Sequence, residues 1–168
     1  TRATALTLQD GVLVKTGATT RRYLGTIRIT VTTGQCEDSQ SKRFVWNYYN
    51  RVPILLKAGD STSSWPYNTA SYRSSNGNSA NSLSTFAGFS EEEADISFLQ
   101  YVAISVSGAS TWKAAIGQNS TASASGTIST NNTINNSAND RMVQATYVAP
   151  PALGINTYYS LEQGGGIA

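Results

Sequence analysis

Apolar side chains recur at every second position in several stretches of the chain, a pattern typical of β-strands that are buried on one face. The alternation is clearest over residues 23–32 and 96–106. Shorter runs predict further strands at residues 4–8, 12–14, 84–88, 112–117, 140–149 and 155–162. No segment has a convincing helical period. Strands at a spacing of roughly ten to twenty residues predict an all-β fold, and we expect an antiparallel β-sandwich of jelly-roll type.

The densest cluster of aromatic and β-branched residues runs from Lys42 to Leu56, with the sequence KRFVWNYYNRVPILL. Phe44 and Trp46 would share one face of a strand, and neither face is plainly polar. We therefore expect a strand covered on both sides. A helix beginning near Asp38 is the alternative, and Pro53 and the aromatic run argue against it. A ligand-binding aromatic shelf is a second role open to the same residues.

Turn residues separate the predicted strands. Asp10-Gly11, between two short apolar runs, predicts a hairpin. Residues 17–20 interrupt the pattern. Residues 57–81 contain several Gly, Pro and Asn signals, so we expect mostly loop there, with one short strand at 67–73. Long loops inside a compact domain are often functional.

Residues 119–139 form a low-complexity segment of Ser, Thr, Asn and Ala. This composition is compatible either with a solvated strand pair near 125–129 or with a long exposed loop. The full length of 168 residues suits one domain with a sizeable core. We therefore expect a single β-sandwich domain over residues 1–168 that includes this segment.

Charged residues make up 13% of the chain and the net charge is +2, so the expected surface is polar without being charged. Such surfaces are more typical of extracellular, lectin-like or virion-surface proteins than of cytosolic enzymes. The small net charge argues against nucleic-acid binding. The sequence shows neither a signal peptide nor an apolar run of membrane-spanning length, and we expect no membrane insertion. Cys36 is the sole cysteine, which excludes an intrachain disulfide.

Histidine is absent from the sequence, which excludes Ser-His-Asp catalysis and histidine metal sites. The ten acidic residues include candidates for a carboxylate pair that hydrolyses glycosides, but their separation is not readable from sequence. Glu91–Glu93 with Asp95 offer oxygens to Ca²⁺, yet they lack the spacing of a calcium loop. We predict a protein that is not an enzyme and that uses no metal and no cofactor.

Trp65, Tyr67, Tyr72 and Arg73 lie in or beside the loop-rich middle of the chain. Aromatic rings beside amides and hydroxyls suit sugar binding, because the ring stacks on the C–H face of a pyranose. These four residues are therefore the candidate receptor-binding residues. The alternative is that they close the end of a sandwich or pack against another subunit.

Four segments carry a resemblance to a known group of proteins. They are RRYLGTIRIT at Arg21–Thr30, EDSQSKRFVWNYYNRV at Glu37–Val52, SWPYNTASYRSSNGNSANSLSTFAGFSEE from Ser64, and LEQ at Leu161–Gln163. Together they resemble the C-terminal head regions of bacteriophage tail fibres and virion-attached fibres. The resemblance covers about the middle two-thirds of the chain. The low-complexity segment after Ser120 departs from it.

This resemblance implies a homotrimeric, β-rich knob on the surface of a virion, outside the cell. Its partners would be further copies of the chain, other virion proteins, and a host-surface receptor, either a glycan or a protein. A purely structural virion protein with no receptor is the alternative. A free carbohydrate-binding module and a small glycosidase are further ones. The resemblance identifies no individual binding residues.

Overall fold

The computed structural model describes residues 4–89, 93–104, 110–133 and 139–165. Within them the chain forms strands and one 3₁₀ turn, Ser75–Gly77. The strands are β1 (Leu6–Gln9), β2 (Val12–Lys15), β3 (Ala18–Arg22), β4 (Gly25–Ile27), β5 (Lys42–Arg43), β6 (Val45–Asn47), β7 (Arg73–Ser74), β8 (Ser82–Ala87), β9 (Ala94–Ile104), β10 (Ser110–Gln118), β11 (Ser125–Thr133), β12 (Asn139–Ala149) and β13 (Gly154–Gly164). The all-β prediction is therefore confirmed. Residues 105–106 of a predicted strand, the acidic residues at 91–92 and residues 134–138 of the low-complexity segment lie outside the described residues.

The described chain divides into two compact units. The first unit comprises residues 4–57, 84–89 and 151–156. The second unit comprises residues 58–83, 93–104, 110–133, 139–150 and 157–165. The expectation of a single domain stays a prediction.

Five strands form an antiparallel sandwich in the second unit, in the order β13–β10–β11–β12–β9. β9 and β12 are in register over their whole length, from Asn139 opposite Ile104 to Ala149 opposite Ala94. β10 pairs with β11 on one side and with β13 on the other. The β9–β12 ribbon and the β13–β10–β11 sheet form the two layers.

The core of the second unit lies between these layers, because both contribute to one buried cluster. Its members are Val102, Trp112, Ala114, Ile116, Val143, Ala145 and Tyr158. Partly buried Ile96 and Phe98 of β9 pack against it. The alternation that predicted strands at 96–106, 112–117, 140–149 and 155–162 therefore corresponds to observed burial, and the four strands are confirmed, the first over its described residues 96–104.

β11 occupies part of the low-complexity segment. Its pairs with β10 run from Thr133 opposite Ser110 to Ser125 opposite Ile116. Of the two alternatives for residues 119–139, the strand is correct over 125–133. Small polar residues suit this position because β10 supplies the backbone partners that the segment needs.

A hairpin opens the first unit as predicted. Asp10 and Gly11 have positive φ values of 50° and 78°, the conformation of a two-residue hairpin turn, and β1 pairs with β2. The expected break at residues 17–20 is wrong. Gly17, at φ 75°, turns the chain so that β3 returns along β2.

Two long strands predicted in the first unit are much shorter in the structure. From residues 23–32, only Gly25–Ile27 forms a strand, and it pairs with β6. Ile27, Ile29 and Val31 are exposed by 59%, 54% and 104%, so the predicted half-buried face is wrong. Gly25 does mark a close approach as expected, since a Cβ there would meet the Trp46 carbonyl oxygen.

The stretch from Lys42 to Leu56 is likewise not one covered strand. It forms β5 and β6, and the backbone N–H of Tyr49 then donates to Asn47 Oδ1 at 2.9 Å. This local hydrogen bond is an Asx turn, which replaces ladder pairing and ends β6. Beyond Pro53, Leu55 is 78% exposed. The aromatic and β-branched residues of this stretch predicted too long a strand. Their preference for strands depends on neighbouring elements that cover the two faces of the strand.

Aromatic rings supply much of the packing inside the first unit. Tyr23, Trp46 and Tyr48 contact one another with ring centroids 5.7–6.1 Å apart. The guanidinium of Arg51 lies 4.3 Å from the Tyr48 ring centroid, and Phe89 contacts the same ring. These residues stabilise one another, so the role of an aromatic shelf for a ligand stays a prediction.

The two units differ in how well they bury their apolar side chains. Among described residues, the second unit buries nine hydrophobic residues and exposes four large ones, whereas the first buries five and exposes eleven. The eleven are Leu8, Leu24, Ile27, Ile29, Val31, Tyr49, Val52, Ile54, Leu55, Leu153 and Ile155. The first unit therefore presents an apolar surplus that its own fold does not cover.

Candidate functional site

A buried carboxylate organises the loop-rich side of the second unit. Glu162 of β13 is 1% exposed. Its Oε1 accepts hydrogen bonds from Arg73 Nε at 2.9 Å and from the backbone N–H of Asn76 at 3.0 Å. Its Oε2 accepts from Trp65 Nε1 at 2.8 Å and, at 3.5 Å, from Gln100 Nε2. A buried charge is tolerated when it is paired and hydrogen-bonded, and both oxygens of Glu162 meet that condition.

The strand register explains how Arg73 reaches this carboxylate. β7 pairs with β13 so that Arg73 lies directly opposite Glu162, the arrangement in which cross-strand charges interact. Arg73 Nη2 also lies 2.8 Å from Glu162 Oε1, so the contact is an ion pair. The 3₁₀ turn that follows β7 brings the Asn76 N–H to the same oxygen. The side chain of Glu162 thereby holds the two-residue strand β7 and the turn that follows it in place.

Tyr67, another of the predicted receptor-binding residues, joins Trp65 and Arg73 in the same scaffold. The Arg73 guanidinium carbon lies 3.7 Å from the Tyr67 ring centroid, a cation–π contact. The Tyr67 hydroxyl donates to the Ser71 carbonyl at 2.7 Å. Burial raises the pKa of Tyr72, and its hydroxyl has no hydrogen-bond partner among the described residues.

A second carboxylate, Asp60, holds the loop above this scaffold. Its Oδ1 accepts from the Thr62 N–H at 2.9 Å. Its Oδ2 accepts from the side-chain amides of Asn76, Asn78 and Asn81 at 3.1, 3.3 and 2.8 Å. Hydrogen bonds from Thr62, and then from Asn76 and Asn81, hold the pKa of Asp60 well below its usual value. Asn76 joins the two carboxylates, because its backbone serves Glu162 and its side chain serves Asp60.

A groove of about 680 Å³ opens within the second unit beside β9, a size typical of small-ligand sites. Among the described strands, β9 ends the sheet order, so the groove follows an edge of the sandwich. Its lining includes both aromatic side chains and side chains with hydroxyl or amide groups: Thr62, Ser63, Ser64, Trp65, Ser75, Asn81, Ser82, Ser97, Phe98, Gln100, Tyr101, Tyr158, Tyr159 and Ser160.

The groove wall carries few charged side chains, and some of its side chains are held in place by hydrogen bonds. Among its described lining residues there is no lysine or arginine, and Asp60 is the one acidic residue. Trp65 and Gln100 line the groove while both donate to Glu162. Gln100 Oε1 and Ser75 Oγ are buried and have no hydrogen-bond partner among the described residues. Buried polar atoms normally acquire a partner, so these two are candidates for contact with a polar ligand.

Of the four predicted receptor-binding residues, Trp65 alone belongs to the groove lining. Tyr67 and Arg73 stack on each other and are not part of the lining. Their role in binding stays a prediction, as does that of Tyr72. Sequence reasoning missed Gln100, Tyr101 and Asp60. Gln100 had a readable signal, because it interrupts the apolar face of β9 with an amide that pairs with Glu162.

Comparisons with protein-family models, curated proteins and solved structures find no match for this chain. In the described part of the chain, no three or more His, Cys, Asp or Glu residues are grouped so as to hold a metal ion. A search of the same residues for a helix long and apolar enough to cross a membrane finds none.

Replacing Asp60 by Asn should lower stability in a pH-dependent way. A carboxylate whose folded pKa is depressed contributes stability above its unfolded pKa, near 3.8, and loses it as pH falls through the folded pKa. The melting temperature of Asp60→Asn should therefore lie below that of the wild type by a constant gap from pH 8 to pH 5. The gap should narrow as pH falls from 4 to 2 in thermal unfolding followed by circular dichroism. A gap that keeps its full size at pH 2 would contradict the role given to the ionised carboxylate.

Replacing Glu162 by Gln should destabilise the second unit by about 2–4 kcal/mol, because the change leaves Arg73 without its partner charge in a largely buried site. Glu37→Gln is the matched control. Glu37 pairs with Lys42 at 3.3 Å on the surface, where an ion pair contributes only about 0–1 kcal/mol. Urea unfolding measures both. Equal effects of the two substitutions would show that Glu162 is no more important than a surface acid.

Proposed function

We propose that this protein is a non-enzymatic fibre head or surface protein of a virion, that it acts as a homotrimer, and that it attaches the particle to a host-surface receptor. The observation that carries the proposal is the apolar surplus of the first unit. That unit exposes eleven large hydrophobic side chains and buries five hydrophobic residues, among those described. A surface of this kind is characteristic of a chain whose core is completed by other subunits.

The size of the surplus suits an obligate assembly. If each exposed side chain presents on the order of 100 Å², the eleven together present roughly 1,000 Å², comparable to one side of a standard protein interface. Further copies of the same chain are the simplest partners, since most stable assemblies are symmetric homo-oligomers. The weakly charged surface, with 13% charged residues, also fits an extracellular particle.

A purely structural virion protein is the second candidate function, and one observation favours it. Arg73 and Tyr67, both predicted to bind a receptor, instead hold Glu162 and each other. If those contacts are their whole role, the loop-rich region stabilises the fold without binding a receptor. The groove beside β9 then separates the two candidates, because a structural protein has no need of a ligand there.

Light scattering at neutral pH tests the assembly. We expect a mass near three times 17.9 kDa for the wild type. The double substitution Ile29→Thr with Val31→Thr should shift the mass towards the monomer, because it makes two exposed apolar residues of the first unit polar while keeping their β-branched shape.

Met142→Thr with Val148→Thr is the matched control, since these residues are 63% and 56% exposed on the second unit. The control should leave the trimer mass unchanged. A wild type that stays monomeric at every concentration would contradict the proposed assembly. So would a control that dissociates as readily as the first pair.

A further inference from the structure

We infer that the groove beside β9 binds a neutral carbohydrate, with its sugar rings stacked on the aromatic side chains of Trp65 and Tyr101 in the lining and its hydroxyls bonded by uncharged side chains. The inference rests on the proposed attachment function and adds to it the site and the class of ligand. It differs from the sequence-based expectation, which placed the receptor contact on Trp65, Tyr67, Tyr72 and Arg73.

The charge of the lining selects against ionic ligands. Among the described residues that line the groove, none is a lysine or arginine, so an anionic sugar or a phosphate would meet no counter-charge. Asp60, the one acid, already accepts four hydrogen bonds from Thr62, Asn76, Asn78 and Asn81. A cation would have to compete with those donors. A ligand that is polar and uncharged fits this wall.

Trp65 is placed to contact a ligand through the face of its ring rather than through its indole N–H. Its indole N–H is already donated to Glu162 at 2.8 Å, so its ring surface is what remains for a ligand. Tyr101, 61% exposed, adds a second ring to the lining. Aromatic surfaces of this kind pack on the apolar C–H face of a pyranose.

The polar groups of the groove complement sugar hydroxyls. Gln100 Oε1 and Ser75 Oγ have no partner among the described residues, and a sugar hydroxyl can donate to the first and either donate to or accept from the second. Ser64 and Ser97 supply further hydroxyls. Because Glu162 fixes the amide of Gln100 as well as the indole, binding requires little ordering of the wall, which favours affinity.

Binding to immobilised oligosaccharides tests the inference. The probes are neutral oligosaccharides that end in galactose, glucose or N-acetylglucosamine, and the same galactose-terminated oligosaccharides carrying sialic acid. We expect the wild-type protein to bind at least one neutral oligosaccharide and not to prefer a sialylated form. A preference for the sialylated forms, or no binding to any neutral probe, would overturn the inference. Binding of an extended peptide, together with no binding of any neutral probe, would favour strand addition at the edge of β9 instead.

Tyr101→Ala and Met142→Ala form a matched pair for the same assay. The two residues are opposite each other in the β9–β12 ribbon and are exposed by 61% and 63%, and of the two only Tyr101 lines the groove. Tyr101→Ala should weaken binding at least tenfold, whereas Met142→Ala should leave it unchanged. Equal losses, or no loss in either variant, would overturn the inference.

The outcome of the sugar-binding assay can be distinguished from the outcome of the light-scattering test of the trimer. A trimer that binds no neutral sugar overturns the carbohydrate site, leaves the trimer standing and favours the structural alternative. A monomer that binds a neutral sugar through Tyr101 supports the site and overturns the trimer. Circular dichroism and the melting temperature of each variant show that a loss of binding is not a loss of folding.

Discussion

The second unit depends on the ion pair and the hydrogen bonds that surround one buried carboxylate, that of Glu162. Glu162 is 1% exposed, and a carboxylate in that position is stable only when donors surround it. Those donors come from the loop at Trp65, from β7 at Arg73 and from β9 at Gln100. One charge thus fixes a long segment that has almost no secondary structure of its own. The same contacts fix two side chains of the groove wall, so the stability of the loop and the shape of the groove have a common cause.

The two units solve the problem of covering apolar surface in different ways. The second unit closes a sandwich around Ile116 and Tyr158, and its loops are held by Glu162 and Asp60. The first unit relies on stacked rings such as Trp46 and Tyr48 and leaves most of its large aliphatic side chains exposed. This contrast within one chain is why we propose assembly as the role of the first unit and ligand binding as the role of the second. The trimer and the carbohydrate site can nevertheless be tested separately, because they depend on different residues.

The sequence was informative where a strand has one buried and one exposed face. The alternation along β9, β12 and β13 predicted those strands because the core of their own unit covers one side of each. Residue type was misleading over residues 42–56, where aromatic and β-branched side chains predicted a strand covered on both faces, whereas Leu55 is 78% exposed. The groove could not be predicted, since it depends on the approach of Trp65, Gln100 and Tyr101 from distant parts of the chain. Gln100 was the one readable sign, as an amide on an apolar strand face.

The most direct test of this account is the hydrogen-exchange rate of the Trp65 indole N–H, followed by nuclear magnetic resonance and assigned by the signal that Trp65→Phe removes. If Glu162 accepts that proton inside a closed network, the indole N–H should exchange far more slowly than that of an exposed tryptophan. Exchange at the rate of an exposed indole would show that Trp65 is not bound to Glu162. That result would contradict the claim that the contacts of Glu162 hold both the loop and the groove wall in place.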